Sequence, residues 1–494
     1  MARASSKSPE SLPRRDLIIL AAVVLLGGVI YLLASAATYK IGFPLDDSWI
    51  HQTYARNLAE YGQWAFRFGV PSAGSTSPLW SAMLAIGFWL RLAPYAWAYL
   101  LGGLTLWALA ILSETTARRL LPNYQPRLPW VGIFMTLEWH LLWAAMSGME
   151  TLLHALIVTT VLVALMTDSR RYLRLGLLTG LSVWVRPDGL TLLGPVILTI
   201  LLTEKDMSTR LRALTKYFIG FGVLFFLYLL FNLVIGGTPM PNTFYAKQAE
   251  YAAWQARPIL ERLGELSLQI LIGPMIILLV GVFGWGIDSV RRRAWGTLAG
   301  LIWFVGYLGL YVSRLPLYQH GRYVMPAMPI LFIWGLLALV NFAQSKLFGR
   351  YHWFVQTLWQ TSLAFITLLF IILGARSYAQ DVALIESEMV VTAKWAAVSL
   401  PPQAVIAAHD IGALGYYDNH TLIDLAGLIS PEVIPFIRDE PRLTLFLDQK
   451  GVSYLIAFPE FYPQLAQQHA IVFQTDGKFA IDLGGENMVI YRWK

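Results

Sequence analysis

The feature that most constrains this chain is a series of apolar blocks. Most are about 17–22 residues long, the length that crosses a bilayer core at 1.5 Å per residue. They fall at 17–37, 95–113, 129–146, 150–167, 173–186, 190–203, 217–236, 266–287, 295–313, 323–343 and 354–375. The pattern predicts a polytopic α-helical membrane protein of about 11 spans. Composition agrees: 56% of residues are hydrophobic and 14% charged, against about 25% charged in soluble domains. The 19 Trp and 23 Tyr suit a protein with two lipid–water interfaces.

The formal net charge of +7 is no sign of nucleic-acid binding, because the excess lies in short loops between apolar blocks. Arg14/Arg15, Arg118/Arg119/Arg127, Arg170/Arg171/Arg174, Lys205/Arg210/Arg212/Lys216, Arg291/Arg292/Arg293 and Lys346/Arg350 share one side if all eleven spans cross. The positive-inside rule makes that side cytoplasmic and predicts an integral inner-membrane protein with its N-terminus inside. The first block follows Arg14 and Arg15 and is longer than a signal-peptide core, so it reads as a retained anchor. Pro78–Leu92 is apolar but too short to span, and predicts a re-entrant or interfacial segment. The short blocks 173–186 and 190–203 suggest one hairpin broken at Arg186-Pro187-Asp188-Gly189. With no Cys, disulfides, thiolate metal sites and cysteine nucleophiles are excluded.

Past residue 375 charges return and apolar runs shorten. Ala404–Ala408, Leu422–Leu425, Val452–Phe458, Phe479–Leu483 and Met488–Tyr491 predict strands, and Pro431–Asp439 and Leu443–Lys450 short helices. Two domains are therefore expected: 1–375 in the membrane, with an extracytoplasmic first loop at 38–77, and 376–494 as a soluble extracytoplasmic α/β domain.

The loops opposite the basic clusters hold unusual chemistry. The first carries Asp46-Asp47 ahead of a helix expected from Ser48 to Tyr61, capped by Asp47 or Ser48 and ended by Gly62. Its stripe of Ile50, Tyr54, Leu58 and Tyr61 predicts a helix lying on the membrane surface. Others hold Glu150, then Arg186 and Asp188, then Tyr245 and Lys247, then His320 and Arg322. Singly, each reads as a cap, a turn or a cation snorkelling to headgroups. Jointly, they set carboxylates and cations at one membrane level, on the side where positive charge is depleted, and a lipid phosphate beside a carboxylate base would account for them. Glu138 and His140 fall mid-span, where a charge costs about 2.5–3.5 kcal/mol; a neutral hydrogen-bonded pair between helices is the reading adopted.

The string Leu45-Asp46-Asp47-Ser48-Trp49-Ile50, with Tyr54-Ala55-Arg56-Asn57-Leu58-Ala59 and Gly74-Ser75-Thr76-Ser77-Pro78-Leu79-Trp80, resembles GT-C-type membrane glycosyltransferases, chiefly the mycobacterial-type arabinofuranosyltransferase branch. Ser147-Gly148-Met149-Glu150-Thr151, Arg186-Pro187-Asp188-Gly189, Pro241-Asn242-Thr243-Phe244-Tyr245-Ala246-Lys247, Gly321-Arg322-Tyr323 and Asp410-Ile411-Gly412-Ala413-Leu414-Gly415-Tyr416 extend the likeness to about residues 40–430. Ser48-Trp49 departs from that pattern, which has a smaller residue followed by an aromatic.

The resemblance implies a GT-C-like catalytic domain, a polyprenyl-phosphate sugar donor and a first-loop acid as general base, so Asp46 or Asp47. The sugar would be a pentose such as arabinofuranose, or a hexose, and the acceptor a cell-envelope glycan or lipid hydroxyl. One displacement predicts inversion. Arg186, Lys247 and Arg322 are candidates to hold the donor phosphate, and Glu150, Asp188, Tyr245 and His320 to hold acceptor or sugar. A monophosphate leaving group needs a divalent cation less than a diphosphate does, so no metal or other cofactor is expected. The rival reading is a transporter or flippase of lipid-linked sugars. It predicts polar residues along a path through the bilayer, where only Glu138, His140, His154 and Asn232 lie deep.

Overall fold

The computed structural model describes residues 12–122, 124–315, 318–343 and 346–493. Residues 1–11 of the expected membrane domain, 123, 316–317 of the loop before His320, 344–345 beside the last basic cluster, and 494 lie outside the described residues.

The chain opens with α1 (Arg14–Thr38) and a first loop holding α2 (Asp47–Tyr61), the hairpin β1 (Ala65–Arg67) and β2 (Val70–Pro71), and α3 (Pro78–Trp89). The bundle continues with α4 (Pro94–Leu120), α5 (Trp130–Leu137), α6 (Trp139–Met146), α7 (Thr151–Met166), α8 (Tyr172–Val185), α9 (Leu193–Thr203) and α10 (Met207–Gly236). Then come α11 (Asn242–Glu250), α12 (Ala252–Gln255), α13 (Ile259–Leu271), α14 (Met275–Arg292), α15 (Trp295–Arg314), α16 (Met328–Ala343) and α17 (His352–Ile385). A π turn over Glu386–Val390 carries α17 into α18 (Val391–Ser399).

Among the described residues, six helices are long and apolar enough to cross a membrane, at 17–37, 95–113, 217–236, 295–313, 323–343 and 354–375 of the expected spans. The other five expected spans differ in form. Block 266–287 is α13 and α14 bent by 102° at Gly273-Pro274, where Pro removes a backbone donor and Gly273 takes φ 113°. Block 129–146 breaks at Glu138, whose carboxylate accepts the Leu141 N–H at 3.1 Å and pairs with His140 Nδ1 at 2.8 Å. That mid-span acid therefore caps a half-helix beside its own neighbour, while His140 Nε2 bonds the Gln269 carbonyl at 3.0 Å. The helices α8 and α9 form the expected broken hairpin: Tyr172, which begins α8, donates to Glu204, which ends α9, at 2.5 Å.

Contacts sort the helix ends into two groups. At one end Arg118 binds Asp16 (2.6 Å), Arg15 reaches the Arg127 carbonyl (2.6 Å) and Arg119 the Thr167 carbonyl (3.1 Å). At the other Ser48 donates to the Ser147 carbonyl (2.7 Å) and Trp80 to that of Gly148 (2.8 Å). The helix α7 separates them by about 24 Å at 1.5 Å per residue. At about 18 Å, α3 is shorter than a bilayer core. Both its ends stay in the second group, because Trp89 bonds the Ala59 carbonyl at 3.1 Å.

The expected surface helix is α2, and the structure corrects that placement. Residues Ser48–Ala55 are all buried, because α3 packs on one side and the C-terminal domain on the other. The apolar stripe seats the helix in protein. Gly62 ends it in the left-handed region, φ 65°.

The C-terminal part holds β3 (Val405–Ala408), α19 (Gly412–Tyr417), β4 (Thr421–Asp424), α20 (Glu440–Gln449), β5 (Tyr454–Ala457), α21 (Pro463–Gln468), β6 (Ala470–Gln474), α22 (Lys478–Asp482) and β7 (Val489–Arg492). The sheet order is β4-β3-β5-β7-β6, parallel across β4, β3 and β5 and antiparallel beyond. Leu443 and Leu447, four residues apart on α20, bury against Leu455 and Tyr491, each contributing about 1.5–3 kcal/mol. Two expectations fail here. Phe479–Leu483 is the helix α22, and the edge strand β6, exposed along most of its length, carried no alternating pattern to announce it. The helical bundle and the C-terminal part meet without a linker, since α17 runs unbroken across residue 375.

Candidate active site

The site is built where α2 begins. Phe43, fully buried, packs against Trp49 and Tyr95 at ring distances of 5.2 and 4.7 Å. It also presses on Gly148, where a Cβ would sit 2.6 Å from the ring. This plug fixes the direction in which the next residues emerge. Asp46 and Asp47, adjacent in sequence, then part company.

Asp46 turns to the C-terminal domain. Its carboxylate accepts the backbone N–H groups of Gly412 (2.6 Å) and Ala413 (2.8 Å) and so caps α19. Only glycine allows this approach, because a Cβ on Gly412 would lie 2.0 Å from the Asp46 carbonyl oxygen. Burial and the nearby Asp410 carboxylate push the Asp46 pKa up to about 7, against the pull of the two N–H donors.

Asp47 turns to the open cavity, with its side chain 38% exposed and Oδ2 2.7 Å from Arg322 Nη2. Burial would raise its pKa, but Arg322 and Lys247 outweigh that and hold it below the usual carboxylate range. Around the Tyr323 ring stand three cations, Arg186 at 5.4 Å, Lys247 at 5.0 Å and Arg322 at 5.0 Å from its centroid. Each such contact contributes about 0.5–2 kcal/mol, so one aromatic residue keeps three like charges together. The three residues expected to hold a phosphate therefore do converge.

They are not equivalent. Arg186 donates to Glu150 Oε1 (3.0 Å) and to Asp188 Oδ1 (3.1 Å), and Asp188 accepts from Tyr311 (2.5 Å) and Tyr307 (3.0 Å). Its charge is matched twice over. Among the described residues Arg322 has one carboxylate, Asp47; its Nη2 also donates to the Tyr323 hydroxyl at 3.2 Å, and its Nε and Nη1 are buried without a partner.

His51, one helical turn after Asp47, is a site residue that the motifs did not single out. Its Nε2 lies 3.2 Å from Glu150 Oε2 and its Nδ1 2.9 Å from the Ser81 hydroxyl. The i, i+4 spacing from Asp47 was the available signal. Two expected residues stay outside. His320 bonds Asp381 Oδ2 at 2.8 Å, as does Trp143 Nε1. This pins a turn in which Gln319, His320 and Gly321 all take positive φ (35°, 59° and 72°); each non-glycine there stores about 1–3 kcal/mol. His320 thus positions Arg322. Tyr245 lines neither cavity; from its helix Phe244, Lys247 and Gln248 do.

Two cavities meet at these residues. A small chamber of about 40 Å³ touches Asp47, His51, Glu150, Arg186, Lys247 and Arg322. An apolar groove of about 290 Å³ joins it through Arg186, Lys247 and Tyr323 and continues past Leu190, Met240 and Leu310. An anionic head and a hydrocarbon tail fit this pair of shapes. Among the described residues no group of three or more His, Asp or Glu is placed to hold a metal ion.

A profile described as a domain of unknown function, DUF8728, matches residues 377–491. No protein of curated function matches the chain by sequence. Among solved structures, ArnT from Cupriavidus metallidurans bound to undecaprenyl phosphate aligns at TM-score 0.56 and 15% identity, covering 97% of this chain and 98% of that one. The same protein in the apo state aligns at TM-score 0.57 and 16% identity, with 97% and 98% covered. Arabinofuranosyltransferase AftD from Mycobacteria aligns at TM-score 0.53 and 14% identity over 98% of this chain, which spans 42% of AftD. This likeness, together with the apolar helices, makes the chain an integral membrane protein with the fold of GT-C-type glycosyltransferases.

Proposed function

We propose that the protein transfers a sugar, a pentose such as arabinofuranose or a hexose, from a polyprenyl-phosphate donor to a hydroxyl of a cell-envelope glycan or lipid. The observation that carries this reading is the arrangement of Asp47, Lys247 and Arg322 around a chamber that shares Lys247 with an apolar groove, with two buried Arg322 donor atoms unpartnered. A buried cation with spare donors calls for an anion. The sides follow the basic clusters: these face the cytoplasm, and the site and C-terminal domain face outward.

In the proposed step, the acceptor oxygen attacks the anomeric carbon and its proton passes to the Asp47 carboxylate. The bond from that carbon to the phosphate oxygen breaks, and its electron pair stays on the phosphate, whose charge rises from one to two. Lys247 and Arg322 meet the added charge where it develops. One displacement inverts the anomeric centre. Donor phosphate also competes with Asp47 for the same two cations, so donor binding relieves the hold on Asp47 and makes it more basic when a base is needed. Glu150 and Asp188 fix Arg186 and, with His51, border the space for sugar and acceptor. With Asp47 facing Arg322 and Glu150 facing Arg186, the chamber's acids already have cations, and we propose a metal-independent reaction.

The test is transfer from radiolabelled polyprenyl-phosphate pentoses and hexoses by the full chain in nanodiscs, with and without EDTA. Donor consumption, an inverted product and indifference to EDTA are expected. Lipid crossing the bilayer with no donor consumed would overturn the reading in favour of transport.

A further inference from the structure

A third cavity, of about 480 Å³, opens between the first-loop hairpin and the C-terminal domain. Ligand pockets run at about 300–1,000 Å³. The mechanism above does not use it, and its lining differs from that of the lipid groove.

Charged and planar polar side chains dominate it, yet they leave no net charge to trap an ion. Arg56 spends its guanidinium on the carbonyls of Tyr416 (2.6 Å) and Gly415 (3.2 Å), and Arg67 donates to Thr421 (3.3 Å). Glu60 and Asp418 offset these two charges, and Asp418 also holds His420 at 2.6 Å. Arg67 has donors to spare, but it is partly exposed where Arg322 is buried, so water or ligand hydroxyls can serve it and it makes no comparable demand for an anion. At the rim Tyr61 and Phe68 meet edge to face at 4.8 Å, with 52% and 66% of their surface exposed. Flat apolar faces beside densely hydrogen-bonding, charge-balanced walls suit a ligand that is neutral, polyhydroxylated and apolar on its C–H faces.

We infer that this cavity binds a neutral oligosaccharide. Arg56 lies on the same helix as Asp47, nine residues on and about 14 Å away. A glycan held there has its remote units anchored within reach of the reacting centre. On the transferase reading, on which this role rests, those units belong to the acceptor, and their binding energy supports the chemical step.

Saturation-transfer NMR on the full chain in nanodiscs tests binding without any donor, using short neutral oligosaccharides of arabinose, galactose, glucose and mannose. At least one series should bind wild type, and Phe68→Ala and Arg67→Ala should each weaken it by about tenfold. Binding of none, or binding by Phe68→Ala equal to wild type, overturns the inference. The chain has no Cys, so Phe68→Cys can carry a single nitroxide label. Protection of the label by the oligosaccharide from an aqueous nickel chelate supports the site. Preferential access to oxygen, as for a side chain anchored in lipid, overturns it. If oligosaccharide binds while wild type consumes no donor, the saccharide site stands and the transferase reading falls.

Discussion

Two arginines a few ångströms from one tyrosine ring show how this site divides its work. Arg186 sits between two carboxylates, which are themselves held by His51, Tyr307 and Tyr311. Arg322 has one carboxylate and two idle donor atoms. The first is a closed network, and such a network mainly holds helices in register. The second leaves buried donors unmet at a cost in stability, and an anionic ligand would relieve that cost. The same contrast separates Asp46, saturated by two backbone donors, from Asp47.

The comparison breaks most sharply at the acids. Asp47→Asn should lower transfer by about 10²–10⁴ with little change in melting temperature, whereas Asp46→Asn should retain most of the rate. Equal losses in the two variants would mean that both act on the reaction and that the division is wrong. Next, Arg186→Gln leaves the buried Glu150 and Asp188 short of their cation and should destabilise the fold by about 3–5 kcal/mol, read from thermal unfolding in detergent. Arg322→Gln should keep its melting temperature but lose about 10²–10³ in rate. Because Arg322 holds the Asp47 pKa down, that variant should also move the acidic limb of kcat/KM to higher pH. The smallest effect sharpens the role of Asp46. Its pKa is raised in the folded state to about 7, so the folded protein binds more protons than the unfolded one. The contribution of Asp46 to stability is therefore greatest in acid and falls as pH rises from about 4 toward 7. In Asp46→Asn that slope should flatten, and an unchanged slope would assign the titration to another group.

The members of both halves were legible in the sequence. Asp46, Asp47, Glu150, Arg186, Asp188, Lys247 and Arg322 stand out because acids and cations in loops opposite the basic clusters need shared partners. Which of them close on each other was hidden. Asp46 reads like Asp47 until Gly412 and Ala413, more than 360 residues later, arrive to be capped. The stripe on α2 reported an apolar face correctly but could not say whether lipid or protein covers it. Gly273-Pro274 was a visible break signal inside a block whose apolar length concealed it. In Phe479–Leu483 the alternation of Phe479, Ile481 and Leu483 imitated a strand over a stretch too short for periodicity to separate the two forms.

The junction at Glu386–Val390 sets the geometry of the whole site by counting. A π turn carries one more residue than an α turn. Glu386 there binds Lys40 at 2.9 Å and Tyr95 at 2.7 Å, and Glu388 takes the Met488 N–H at 3.0 Å and the Thr475 hydroxyl. Deleting one residue would turn everything beyond it by about 100° and shift it by about 1.5 Å. Gly412 would then leave Asp46, and Leu428, which lines the chamber with Asp47, would leave it. The distance between the two halves of the site is thus written as a number of residues along one continuous helix.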